Sequence, residues 1–521
     1  MIAMKSKISS VFILLLLWTV PMQAQTTEEV VQRIVQEATE NSQLKDLGHH
    51  LMDVIGPRLV GTPQQQKAHD WGVEKMKSWG IEAYNEQFGV WRGWERGITH
   101  IDMLEPRVVS LRGMQLAWSP TTGRRPNEGG LIIIPEVADS LEFVNWLPNV
   151  RGKFVMISMH QPSGRPDYNW EEWATEESFE NFKAYRDSLT AAWNARMRAT
   201  GHNNRQMIRA LEDAGAIGIV QSLWSRGFGS NRIFGAQTRN IPHLDIQLED
   251  YGMLYRLVES GADPKIRVRA ESRSLGEMPT FNTIGVIPGT EKPDEYVMLS
   301  AHFDSWDGAT GATDNGTGSI TMLEVMRILK EVYPEPKRTI KVGLWGSEEQ
   351  GLNGSRAFVE DNPDVVEGLQ ALFNQDNGTG RVVDIGGQGF LHSYEFMTRW
   401  LHAVPQDVRR HIDTDFPGMP SGGGTDHASF VTAGAPGFSL RSLSWDYWSY
   451  TWHTTLDTYD KLVWDDLKNN VILIATLAYM ASEDPDFFPR DRRVMPPHPR
   501  TGEIMEWPAQ REPNRRGGLD D

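Results

Sequence analysis

The sequence predicts an α/β fold: a mostly parallel sheet with helices on both faces, interrupted by an inserted β-rich unit. Three observations lead there. From Thr280 to Asp484, strand-like apolar runs alternate with helical periodicity, the pattern of a parallel sheet covered on both sides. From about Pro106 to residue 275 the texture changes to short β runs separated by Gly and Pro. Finally, 521 residues with 39% hydrophobic and 23% charged side chains suffice for more than one unit with its own buried core.

In chain order, residues 1–25 read as a secretory signal peptide: Lys5 and Lys7, an apolar run from Val11 to Val20, then Met22-Gln23-Ala24. The run is about half of the ~20 residues that span a bilayer, and no cysteine is available for a lipid anchor. An exported protein, periplasmic or secreted, with no membrane span after signal removal is expected. Over 26–105, Val30, Ile34 and Ala38 share one helical face, and Trp71, Val73 and Met76 continue helical spacing until Gly80. In the inserted unit, 106–275, residues 131–134, 154–157 and 217–220 have the length of buried strands. Residues 161–200, with Tyr168, Trp170, Trp173, Phe179, Phe182, Tyr185 and Trp193, read as a helical insertion whose aromatic stripe serves packing. Over 276–485, strands are predicted at 296–301, 340–345, Leu369–Asn374 and 437–440. Helices are predicted around Met322, Val325, Met326 and Leu329, and over 462–480. The Pro- and Arg-rich tail, 486–521, reads as unpacked.

Lys and Arg number 52 against 69 Asp and Glu, a net charge of −17. Excess acid repels phosphate backbones, so nucleic acid as the main partner would need a basic stripe, and only the short tail is rich in Arg. The absence of cysteine excludes disulfides, thiolate nucleophiles and Cys-ligated metals. Any metal must be held by nitrogen and oxygen.

Four predicted strand ends carry acids or histidine: His302-Phe-Asp304, Thr313-Asp314-Asn315 in the next loop, Glu348-Glu349, and Asp376. A second imidazole, His453, comes later. Each alone has a bland explanation, since Asp314 could simply cap the following helix and the Glu pair could be a charged loop. Together they converge where an open α/β sheet binds ligands, and adjacent acids repel unless cations compensate them. Two metal ions need a bridging carboxylate, two further ligands each, and an unligated acid that takes a proton from water. The assignment is Asp314 as bridge, His302 and Asp376 on one ion, Glu349 and His453 on the other, and Glu348 as general base. Asp304 is placed to accept the other N–H of His302, and Asp457 to serve His453 similarly. Gly422–His427 reads equally as a capped turn or a substrate contact. Trp306, Trp345, Trp448 and Trp452 could wall a cleft, although packing explains each. Asn315, Asn353 and Asn377 match the glycosylation triplet, but all three are Asn-Gly dipeptides and are better explained as turns.

These motifs, with Pro336-Lys-Arg338-Thr, Trp345-Gly-Ser-Glu348-Glu349-Gln-Gly351, Gly424-Thr-Asp426-His427 and His453-Thr-Thr-Leu-Asp457, resemble the di-zinc peptidases of family M28 over residues 30–484. The resemblance implies a phosphorylase/hydrolase-like catalytic domain interrupted by a protease-associated (PA) domain, with 26–105 returning to the catalytic domain. It further implies two zinc ions per chain, a short peptide or dipeptide substrate, and a homodimer. The expected activity is that of an exopeptidase using metal-activated water and Glu348, with a carboxypeptidase favoured over an aminopeptidase. A glutaminyl cyclase is disfavoured as a single-zinc reaction. A metal-free binding protein on the same fold is disfavoured because the ligand set is complete.

Overall fold

The computed structural model describes residues 26–518; the expected signal peptide lies outside the described residues. The first helix, Thr27–Glu40, starts where Thr26 and Glu29 form a reciprocal capping box, and it buries Val30, Val31, Ile34 and Ala38. A second long helix, Pro63–Ser78, is capped by Thr62 with Pro63 in its first turn. The expected helical face thus forms.

Four strands run parallel in the order Gly437–Ser442, Leu369–Asn374, Lys292–His302 and Arg338–Trp345. The chain goes from Lys292–His302 to its neighbour on one side, then crosses back to Leu369–Asn374 on the other. That reversal opens a crevice at the carboxyl ends of the central strands. Helix Thr317–Val332 and helix Trp464–Glu483 pack in one apolar cluster against this sheet. The latter has no side-chain cap at Val463, yet Leu473, Ile474 and Leu477 are fully buried. Each such burial contributes roughly 1.5–3 kcal/mol against about 1 kcal/mol for a cap, so packing decides where this helix forms. Its last turn is finished by the buried Arg338, whose Nη1 donates to the carbonyls of Ala481 and Ser482 at 3.1 and 3.0 Å.

Two long antiparallel strands, Glu82–Glu105 and Lys265–Ile287, connect this sheet to the inserted segment. One end of Lys265–Ile287 pairs with Arg338–Trp345 and the other with Asn127–Ile133, so a single ribbon belongs to both cores. Beyond it, Asn127–Ile133, Phe154–Met156, Gly218–Gln221 and His243–Ile246 run parallel. Two apolar clusters of their own flank them. The inserted segment is richer in helix than its β texture predicts, because helices Ser140–Trp146, Asn204–Asp213 and Leu248–Glu259 cover this small sheet. The predicted aromatic helix exists as Asp167–Trp173 and Glu176–Ala199, with Trp170 stacked on Phe182 at 4.3 Å.

The tail is the clear departure from expectation. Proline removes backbone donors but not side-chain anchors, and these hold the tail down. Trp507 Nε1 donates to the Val431 carbonyl at 3.0 Å and its ring meets Phe390 at 5.6 Å. Arg515 pairs with Glu360 and Asp361, and Arg516–Gly517 adds a short parallel strand to Val90 and Trp91. Replacing Trp507 with Ala should expose this tail, so trypsin cleavage after Arg492, Arg493 and Arg511 should be about tenfold faster than in the native chain. Equal cleavage rates would mean the tail is not docked.

Candidate active site

The crevice collects its side chains from four strand ends. Lys292–His302 ends on His302, and Ala312–Gly316 places Asp314 just before helix Thr317–Val332. After Arg338–Trp345, Ser347 adopts φ +59° and turns the chain back, bringing Glu348 and Glu349 over the sheet. Leu369–Asn374 leads into Asp376. His453 follows Gly437–Ser442 at the end of a single helical turn and is itself at φ +56°. A non-glycine residue held in that region costs on the order of 1–3 kcal/mol and persists only where its surroundings enforce it. The enforcement comes from the inserted segment: Ile233 N donates to the His453 carbonyl at 2.6 Å, and Phe234 lies edge-on to the imidazole at 5.2 Å.

Five predicted residues form two groups that share Asp314. Its Oδ1 is 3.4 Å from His302 Nε2, which is also 3.1 Å from Asp376 Oδ1. Its Oδ2 is 3.1 Å from His453 Nε2, which is 2.8 Å from Glu349 Oε2. Within each group the possible ligand atoms lie within 4.8 Å of one another. His302 Nδ1 sits 3.0 Å from the Asp304 carbonyl oxygen. A carbonyl only accepts, so Nδ1 carries the proton and Nε2 is the atom free to bind an ion. Glu348 belongs to neither group.

Asp304 therefore acts differently from expectation. Its main-chain oxygen, not its carboxylate, takes the imidazole N–H. The carboxylate, fully buried, accepts Glu348 N at 3.0 Å and Glu349 N at 3.3 Å. Asp457 likewise does not serve His453 and accepts Thr313 N at 2.7 Å and Asp314 N at 3.1 Å. Both acids hold backbone that carries a site carboxylate.

Asp304, Asp314, Glu348, Glu349, Asp376, Asp426 and Asp457 crowd a space that His302 and His453 alone cannot neutralise. Two unit charges 4 Å apart repel by roughly 4 kcal/mol at an effective dielectric constant near 20. The titration behaviour reflects this. Burial, reinforced by the Asp376, Asp426 and Glu349 carboxylates, raises Glu348 well above the usual range, while burial and Asp314 push Glu349 up to about 7. Burial opposes ionisation of Asp314, but the facing imidazoles outweigh it and hold this carboxyl below the usual range. Burial disfavours charge on His453 too, yet Glu349 and Asp314 raise it to about 10. Glu349 Oε1 and Asp314 Oδ2 are buried without an aligned hydrogen-bond donor among the described residues. A divalent cation answers both the orphaned oxygens and the charge, and the nitrogen and carboxylate donors suit zinc.

A cleft of about 500 Å³ opens onto these groups, with Tyr447, Trp448 and Trp452 on one wall and Gly423, Gly424 and Thr425 on another. Of the four tryptophans considered as walls, Trp448 and Trp452 line it. Trp345 is fully buried core, and Trp306 packs behind His453 at 5.9 Å. Asn315 Oδ1 accepts Gly318 N within its own turn, whereas Asn377 Oδ1 accepts Ser442 N from a strand distant in sequence. Sequence reasoning did not single out three residues here, Tyr447, Arg356 and Arg511, and it named Asp426 only as part of the Gly422–His427 motif. Asp426 is fully buried, and burial raises it to about 7 against the opposing effect of Ser355. The triple glycine before it was the available signal; Arg511 had none. Replacing Asp304 with Asn would put an amide N–H against Glu348 N or Glu349 N. That variant should bind zinc about 10–100-fold more weakly, measured by competition with a chromophoric chelator.

Residues 282–478 match the model of peptidase family M28. Carboxypeptidase Q of Mus musculus is 26% identical over 480 residues, covering 89% of this chain and 91% of its own. Among solved structures, a peptidase M28 precursor from Shewanella amazonensis superposes with a TM-score of 0.64 at 23% identity, covering 89% of this chain and 98% of its own. A zinc aminopeptidase from Bacillus subtilis has a TM-score of 0.55 at 18% identity, covering 86% of this chain and 97% of its own. These two share the fold. The segment similar to peptidase family M28 holds every member of both groups and Glu348.

Proposed function

We propose that the chain is a zinc-dependent exopeptidase of carboxypeptidase Q type, hydrolysing dipeptides or short peptides. The observation that carries this reading is the pair of ligand groups sharing Asp314, with Glu348 beside them and outside both. His302 and Asp376 would hold one zinc ion, Glu349 and His453 the second, and Asp314 both. When bound, the pair supplies Lewis acidity toward water and toward the scissile carbonyl.

The chain's own residues do the rest. Glu348 takes the proton of the attacking water and returns it to the leaving amine nitrogen. Its raised pKa suits a group that must give a proton back. Asp304 fixes where Glu348 and Glu349 point by accepting both backbone N–H groups. Trp448 and Trp452 shield the cleft from bulk water. In this reading the inserted segment is the PA domain, and the protein is an exported homodimer.

The second reading is an aminopeptidase, favoured by the fold shared with the zinc aminopeptidase of Bacillus subtilis. Dipeptides blocked at either end separate the two, since loss of hydrolysis on blocking the amine alone would select the aminopeptidase.

Glu348→Gln should keep two zinc ions per chain by elemental analysis while turnover falls about 10²–10⁴-fold. Undiminished turnover would remove Glu348 from the mechanism. His453→Ala should lower the zinc content toward one ion per chain, and a chelator should abolish turnover of the unsubstituted protein until zinc is restored.

A further inference from the structure

The cleft wall beside the acids carries positive charge that the reaction does not use. Arg356 lies in the first turn of helix Asn353–Asp361, where the helix dipole disfavours a cation. It is half-buried and lines both the catalytic cleft and an adjoining groove of about 780 Å³. Burial and the neighbouring Arg511 push its pKa down, while Asp426 and Glu348 act against that. No hydrogen bond or ion pair joins its guanidinium to another described residue. Arg441, which also lines the cleft, is by contrast paired with Asp384, its Nε 2.7 Å from Oδ1.

Arg511 comes from the tail and lines the same two spaces. Its position is held from both sides. Trp507 is fastened to Val431, while Asn514 N donates to Asn353 Oδ1 at 2.8 Å, on the residue that opens the helix bearing Arg356. Arg515 then locks onto Glu360 and Asp361 at the far end of that helix. The tail is therefore anchored so that two guanidinium groups line one space, neither in an ion pair with a described residue, while Asp426 and Glu348 act on Arg356 from beyond ion-pair distance. Like charges so placed repel unless an anion lies between them, and the fork of N–H donors on each matches a carboxylate.

We propose that Arg356 and Arg511 together bind a carboxylate of the peptide substrate, at its C-terminus or on a side chain. This rests on the exopeptidase reading and adds the group by which the substrate is held. An α-amine would be repelled at the same place, so the pair favours substrates read from the carboxyl end. The tail then completes the specificity site while the reacting groups stay on the strand ends.

The test uses the full chain loaded with zinc, with Glu348→Gln to stop turnover, and calorimetric titration with N-acetylated dipeptides. One has a free C-terminus and neutral side chains, one is its C-terminal amide, and one is an amide with an acidic side chain. At least one carboxylate-bearing peptide should bind about tenfold or more tightly than the neutral amide, and the arm that does so identifies the carboxylate. Arg356→Gln and Arg511→Gln should each bring that ratio close to one, with part of it kept in Arg356→Lys. Zinc content and circular dichroism confirm that each variant is folded. Equal binding of all three peptides, or a ratio unchanged in both Gln variants, would overturn the proposal. Carboxylate preference in a protein without turnover would remove the peptidase reading and keep this site. Turnover without that preference would do the reverse.

Discussion

Asp314 presents one carboxylate oxygen to His302 and the other to His453, and the surrounding architecture serves to keep it there. Its backbone N–H and that of Thr313 are fixed by Asp457. The adjacent Asn315 side chain bridges Gly318 N and the Gln375 carbonyl, joining this loop to the strand end that carries Asp376. Asp304, Glu348, Glu349 and Asp376 converge on it because three parallel strands end together at a reversal in strand order, and Asp426 joins them from the start of helix His427–Thr432. The fold thus concentrates negative charge at a point where hydrophobic burial has removed most of the water. Such crowding raises several of the carboxyl pKa values and favours any cation that neutralises it. Structural cost and chemical capacity have the same origin.

The inserted segment contributes to the site without supplying a ligand. Its loop around Ile233 and Phe234 braces His453, and Arg232 lies over the Trp452 ring at 4.7 Å. Two long strands connect this segment to the catalytic sheet, and their register shifts at several bulges along the ribbon. A bulged ribbon twists more strongly than a regular one, which suits it to swing the second core around until its loop meets the histidine loop. The left-handed backbone of His453 is thereby sustained by contacts that originate far away in sequence.

The parallel sheet was legible because buried strands of Val, Ile and Leu alternate with helical periodicity, and the convergence of His302, Asp314, Glu349, Asp376 and His453 because polar residues at strand ends recur at the spacing that alternation creates. The helical character of the inserted segment was harder to see, since its own strands are only two to seven residues long and Gly and Pro dominate the local signal. Asp304 and Asp457 were recognised as supporting acids but given the wrong partners. Whether a carboxylate or its own carbonyl meets a ring nitrogen depends on how the loop curls, and side-chain spacing does not encode that path.

The residues themselves determined the chemistry available: no thiol, an excess of acid, two histidines and a Glu-Glu pair at strand ends, hence nitrogen and oxygen ligands with a spare carboxylate. Tertiary structure decided which groups serve as partners. It set Arg511 of the tail beside Arg356 of a helix, buried Asp426 beside the site, and docked a proline-rich segment whose composition argues for exposure. The physical reason is that composition and periodicity report the nearest neighbours of a residue along the chain. Trp507 on Val431, Arg515 on Asp361 and Ile233 on His453 are contacts between distant segments, and they exist only once both cores have formed and the ribbon between them has turned.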